Sequence, residues 1–271
     1  MSGALPFLLI PLGLCGAMAG AWAVQRSGGS SGWIDSIWSL ATGGACIAFA
    51  LVTPGSEPSS RAWLVAALAA AWSLRLGIHI ARRSPGHDDP RYAHLKREWG
   101  SAYQARLFRF LQIQALAGAA LALAAWLAAR NPEPGLTWLD AVGALVAVAG
   151  LVGEGVADSQ LAAFKANPAN RGGINDRGLW GWSRHPNYFF ECLFWLGIAL
   201  IALSPSGVWA WGWAALGAPA FMVWLLTRVS GIPPLEAHME RSRGRAWRDY
   251  AARTSPFLPL PPRASAKEIL R

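Results

Sequence analysis

The chain has 271 residues, of which 54% are hydrophobic and only 14% charged, well below the charged share of an ordinary soluble domain. Several apolar runs reach about 20 residues, enough to cross a hydrocarbon core of about 30 Å as helix. A soluble fold is thereby excluded. The formal net charge of +9 would suit nucleic acid, but membrane topology accounts for it better, and no nucleic-acid partner is expected.

The pattern predicts an all-α, polytopic integral membrane protein forming a single domain over residues 1–271. Seven spans are expected: Leu5–Val24, Ile34–Val52, Ala62–Ala81, Phe110–Ala129, Thr137–Val156, Tyr188–Leu203 and Val208–Thr227. The first has no basic residues ahead of it and no small-residue cleavage pattern after it, so it reads as a retained span. Breaks between spans carry turn residues: Gly28-Gly29, Pro54-Gly55, Pro132 with Pro134-Gly135, and Pro205. Lys and Arg divide between alternate loops 21 against 2, with Arg75 inside a span. That split places the N-terminus outside and the C-terminus in the cytoplasm. A bacterial inner membrane suits this arrangement.

Charges inside spans are costly and therefore informative. Asp35 opens the second span, with Trp38 and Thr42 on its face. Arg75 and His79 stand four apart late in the third, and Glu154 and Asp158 four apart at the end of the fifth. Glu191 begins the sixth. Asp35, Arg75, Glu154, Asp158 and Glu191 share one predicted side and could converge on a polar cavity. The alternative is interfacial snorkelling or structural ion pairing. Asp140 reads as interfacial.

His87-Asp88-Asp89-Pro90-Arg91-Tyr92 mixes a histidine with carboxylates, but its spacing matches no metal-ligand pattern. No metal is expected there. Cys15, Cys46 and Cys192 read as buried thiols. The chemistry is placed in Arg171–Glu191, where Arg184, His185 and Asn187 fall within four residues. Pro186 suits a first helical turn, which puts Asn187, Glu191 and Trp195 on one face. Free N–H groups at such a helix start suit phosphate. Near the end, about 233–262 forms a cytoplasmic amphipathic segment, whose basic part Arg241–Arg253 suits either the anionic inner leaflet or a cofactor. The proline-rich tail after Pro256 reads as irregular.

Gly178-Leu179-Trp180-Gly181-Trp182-Ser183-Arg184-His185-Pro186-Asn187-Tyr188 resembles the signature of the membrane-embedded steroid 5α-reductase family, bacterial branch. It is also similar to a stretch of the sterol C14-reductases. Gly244-Arg245-Ala246-Trp247-Arg248-Asp249-Tyr250 resembles the ending of those sterol reductases, and Asp88–Tyr92 with Trp99-Gly100 the central loop of the bacterial branch. The resemblance covers roughly the C-terminal two-thirds. It implies seven helices and reduction of a carbon–carbon double bond by NADPH, in a monomer acting on a steroid or sterol-like substrate among membrane lipids.

On that resemblance Asn187, Glu191 and Trp195 line the nicotinamide side, while Asp158 and Lys165 take the adenosine and phosphate portion. Arg75, Glu154, Arg184, His185, Arg228 and Tyr250 complete the expected cofactor set, which faces the cytoplasm. The tyrosine of eukaryotic steroid reductases is replaced by Trp72, which with Trp38 and Asp35 is expected at the substrate. Asp35 is the expected acid at the substrate carbonyl, and Tyr92 the alternative source of a phenol. The expected catalytic residues are therefore Asp35, Tyr92 and Glu191. Hydride delivery to the β-carbon of an enone leaves negative charge on oxygen, which a nearby acid must meet. An isoprenylcysteine carboxyl methyltransferase-like enzyme using S-adenosylmethionine is the competing reading, since it shares Arg-His-Pro-x-Tyr and a later Glu and Tyr, here Glu236 and Tyr250.

Overall fold

The computed structural model describes residues 4–52, 57–86 and 88–263. The expected Pro54-Gly55 turn and His87 lie outside them. Among the described residues eleven α-helices follow in order: α1 Leu5–Arg26, α2 Trp33–Leu51, α3 Ser60–Ala81, α4 Pro90–Trp99, α5 Tyr103–Ala129, α6 Trp138–Ala166, α7 Leu179–Trp182, α8 Pro186–Ala202, α9 Gly217–Trp224, α10 Ile232–Arg243 and α11 Arg245–Arg253. No β-strand occurs among the described residues. Among the described residues, six helical stretches are long and apolar enough to cross a membrane, and α8 is a shorter apolar helix of 17 residues. The chain is an all-helical, polytopic membrane protein.

Chain packing groups the residues into two compact units, Met1–Leu145 with Gly197–Ala218, and Val146–Leu196 with Pro219–Arg271. In the first, α2 packs against α1, α3 and α5. Its inward face carries Ile34, Ser36, Ser39, Thr42, Cys46 and Phe49, the small residues letting neighbouring backbones approach. Ser59 caps α3 by accepting the Ala62 N–H at 3.1 Å.

Asp140, expected at the interface, has a structural partner in Arg61. They form a buried ion pair at 2.7 Å, and Arg61 also donates to the carbonyls of Asn131, Glu133 and Gly135. The Thr137 N–H and hydroxyl donate to the same Asp140 carboxylate. Asn131 Nδ2 donates to the Ile201 and Leu203 carbonyls, satisfying groups left open at the end of α8.

In the second unit α8 lies close on α6 because Gly150 and Gly153 have no side chains. A Cβ on Gly150 would stand 2.6 Å from Phe194 N, and one on Gly153 would meet the Phe190 ring. The expected seventh span has a mixed backbone: 3₁₀ over Ala210–Leu216, α over Gly217–Trp224 and a π turn over Leu225–Val229. The expected segment Arg241–Arg253 is broken at Gly244, whose φ of +52° stops α10 and starts α11.

Candidate active site

The first unit assembles a cluster around Asp35, in the first turn of α2. The Ser31 N–H and hydroxyl both donate to Asp88 Oδ1 at 2.9 Å, and the Asp89 N–H donates to Ser31 Oγ at 3.1 Å. These bonds tie the start of α4 to the start of α2. Asp88 is held below its ordinary carboxylate range by the Ser31 N–H, then by its hydroxyl. Asp89 caps α4, accepting the Arg91 N–H at 2.8 Å, and Pro90 fits the first turn behind it. Burial pushes Asp89 up, yet the bonds and charge of Arg91 outweigh it and leave its pKa below ordinary.

Arg91 is thereby aimed. Its guanidinium bridges Asp89 and Asp35. The Tyr92 hydroxyl donates to the other Asp35 oxygen at 3.0 Å and receives a longer bond, 3.4 Å, from Gln114 Nε2. Trp38 Nε1 donates to the Gln114 carbonyl at 2.8 Å and packs edge-on against Trp72 at 6.4 Å. Tyr92 is only 3% exposed and Trp72 is fully buried. Asp35 and Tyr92, expected as alternatives, are thus one hydrogen-bonded unit. Both Asp35 oxygens act as acceptors, so the O–H donor of this cluster belongs to Tyr92. Arg75 lies half-buried on α3 in the same unit.

The second unit gathers the other expected residues. Glu191 and Trp195 are both buried on α8, joined by a 2.9 Å bond from the indole N–H. Glu154 and Asp158 are buried on α6, and Asn187 Nδ2 reaches Asp158 Oδ1 at 3.5 Å. Lys165 is exposed near the end of α6, and Arg228 is exposed on the π turn.

Arg184 and His185 hold an interior knot. Arg184 donates to both oxygens of Glu236 and to the carbonyls of Ala251 and Thr254, occupying four of the five guanidinium N–H donors. His185 Nε2 stands 3.0 Å from Glu236 Oε1, and its ring stacks on Tyr188. Burial pushes the His185 pKa below its ordinary value, the Glu236 bond offsetting only part of that. A neutral ring facing a carboxylate carries its hydrogen on Nε2. The Tyr250 hydroxyl donates to the Trp180 carbonyl at 2.6 Å, and the Trp180 indole donates to the Ala157 carbonyl. Burial raises the Tyr250 pKa. These three residues therefore brace the loop between α6 and α8 against α10 and α11.

Sequence reasoning missed Arg91 and Gln114 as site members, and Gln160, whose side chain accepts the Leu179 N–H at 3.0 Å. The Asp89-Pro90 pair, a cap followed by a first-turn proline, was the available signal for Arg91. Gln114 offered none, being one polar residue in an apolar run. Among the described residues no group of three or more His, Cys, Asp or Glu could hold a metal ion. No curated protein and no solved structure matches the chain. Residues 21–254, which include every site residue named above, match a family described as "Protein of unknown function (DUF1295)". The chain belongs to the DUF1295 family.

Proposed function

We propose that this membrane protein is an NADPH-dependent reductase of a carbon–carbon double bond conjugated to a carbonyl, with a 3-oxo-4-ene steroid as the substrate type. The observation that carries the reading is the buried Tyr92 hydroxyl, 3.0 Å from Asp35 and backed by Arg91. A buried phenol can meet a developing enolate oxygen when its one hydrogen turns from Asp35 to the substrate. Asp35 and Gln114 orient that hydroxyl, and Arg91 holds Asp35 in place. Trp38 and Trp72, packed edge-on beside this cluster, would supply the apolar contact a fused-ring substrate needs.

The residues present fit a nicotinamide dinucleotide. Asn175 Nδ2 is buried without a hydrogen-bond partner among the described residues, on a loop that exposes Arg171 and Arg177. An amide donor beside two cations suits a phosphate or a carbonyl. Asn187 and Glu191 offer an amide and a carboxylate on one face of α8 for a carboxamide, with Asp158 and Lys165 at the far portion. When bound, NADPH supplies the hydride. Asn187 and Glu191 would orient its carboxamide.

The methyltransferase reading asks for a Glu and a Tyr at its cofactor. Here Glu236 is held by Arg184 and His185, and the Tyr250 hydroxyl donates to the Trp180 carbonyl, so neither side chain is spare for that cofactor. The reading also takes α8 as a seventh span, about 26 Å long at 1.5 Å per residue, in a monomer whose cofactor loops face the cytoplasm of a bacterial inner membrane. Titrating the purified protein with NADPH, NADH and S-adenosylmethionine tests it. NADPH should bind tightest, because basic groups can pair with its extra phosphate. Tight S-adenosylmethionine binding with no response to NADPH would overturn the reading.

A further inference from the structure

The stretch after α11, residues 255–263, is tied to the mouth of α8. Ser255 forms a β-bridge with Ser183, and its carbonyl accepts the Arg184 N–H at 2.8 Å. Ser183 Oγ donates to the Phe257 carbonyl at 2.8 Å. The Phe257 ring packs 5.9 Å from Phe189, in the first turn of α8. The Leu260 N–H donates to the Trp182 carbonyl at 3.1 Å.

Ser255 and Phe257 are thus held by inward contacts, while alternate residues face out. Leu258 is 52% exposed, Leu260 51% and Trp182 49%, with Pro256 and Pro262 also exposed. The depth of this row is set by α8. Trp182 stands four residues before Pro186, where that apolar helix begins, and Phe257 touches its first turn. A strap at the point where an apolar helix enters hydrocarbon lies at the level of the lipid headgroups. Tryptophan favours that level, and an exposed Arg263 ends the strap where phosphates are within reach. The other amphipathic candidate, α11, has its apolar side in use, since Trp247 and Tyr250 are buried in the protein.

We propose that residues 255–263, together with Trp182, form an interfacial anchor whose outward row of Pro256, Leu258 and Leu260 sits at the boundary between headgroups and acyl chains. The anchor fixes the height of the Arg184–Glu236 knot relative to the bilayer. It rests on the proposed reading of α8 as a span and not on the proposed reaction.

The test uses the full chain in nanodiscs of phosphatidylethanolamine and phosphatidylglycerol. Leu258 and Leu260 are replaced singly by the photo-crosslinking residue p-benzoylphenylalanine. Ser242, exposed between Arg241 and Arg243 on α10, serves as the control. After irradiation, intact-mass measurement should show phospholipid adducts at 258 and 260 several-fold above those at 242. Three results would overturn the anchor: no lipid adduct at either leucine position, chain-to-chain crosslinks there in place of lipid, or an equal yield at 242.

Discussion

Tyr92 holds its hydroxyl 3.0 Å from one Asp35 oxygen while Arg91 covers the other. If the phenol meets the developing oxyanion, Tyr92→Phe should slow enone reduction by roughly 10²–10⁴-fold, the range for losing a general acid. The KM for NADPH should stay unchanged. Asp35→Asn retains an acceptor for the phenol, so its loss should be smaller, on the order of tenfold, about the worth of one hydrogen bond. Full turnover by a folded Tyr92→Phe protein would remove the phenol from the mechanism. A larger loss from Asp35→Asn would return the role to the carboxylate. At His185 the expectation concerns pH. Its folded pKa lies below its ordinary value, so the unfolded chain takes up the proton first as pH falls. The stability it contributes is complete above about pH 6.5 and declines below it. Melting temperatures measured from pH 7.5 downward should fall more steeply for the native chain than for His185→Gln. Parallel curves would show that His185 does not set the acid limit.

Two glycines on α6 separate helix propensity from helix packing. A Cβ on Gly150 would stand 2.6 Å from Phe194 N, while one on Gly155 meets nothing within 4 Å. Gly150→Ala should therefore destabilise by about 1–3 kcal/mol through overpacking. Gly155→Ala should stabilise by about 0.5–1 kcal/mol, since alanine loses less entropy in a helix. Chemical denaturation of the two variants in the same detergent compares them, and equal shifts would contradict the close α6–α8 approach. Spacing and hydropathy in the sequence made the positions of the long helices legible, together with the Pro186 start of α8. Their ends were less so. The run Thr137–Val156 continues as helix to Ala166, because hydropathy marks where apolar residues stop rather than where the backbone unwinds. The mixed 3₁₀, α and π backbone over Ala210–Val229 was equally hidden in a uniformly apolar run. Helical spacing put Asn187, Glu191 and Trp195 on one face of α8, and the indole N–H of Trp195 does donate to Glu191 there, but their link to a cofactor came from the resemblance and not from spacing. The Arg91–Asp35 pair joins residues 56 apart in the chain, and the Arg61–Asp140 pair joins residues 79 apart. No local pattern encodes such partners.

For the whole molecule, the prediction concerns which way the helices cross. The loop charge split of 21 against 2 carries the orientation, because basic loops stay on the cytoplasmic side. Useful reporter positions must be exposed and free of structural duty. Ser59 is unsuitable, since its hydroxyl caps α3. Glu57, Ser101 and Ser242 are all exposed. Glu57 precedes α3 on the side poor in Lys and Arg, whereas Ser101 lies in the basic stretch Arg82–Arg109 and Ser242 in the arginine-rich α10. With the three positions changed singly to cysteine, a membrane-impermeant thiol reagent should label Glu57→Cys in intact cells. Ser101→Cys and Ser242→Cys should react only after the membrane is opened. The native thiols give little background at two sites, because Cys46 and Cys192 are buried, and Cys15 lies within α1. Labelling of Ser101→Cys or Ser242→Cys in intact cells would invert the topology. It would also place the basic loops where cytoplasmic NADPH cannot reach them, so the proposed reaction would lose its source of hydride along with its orientation.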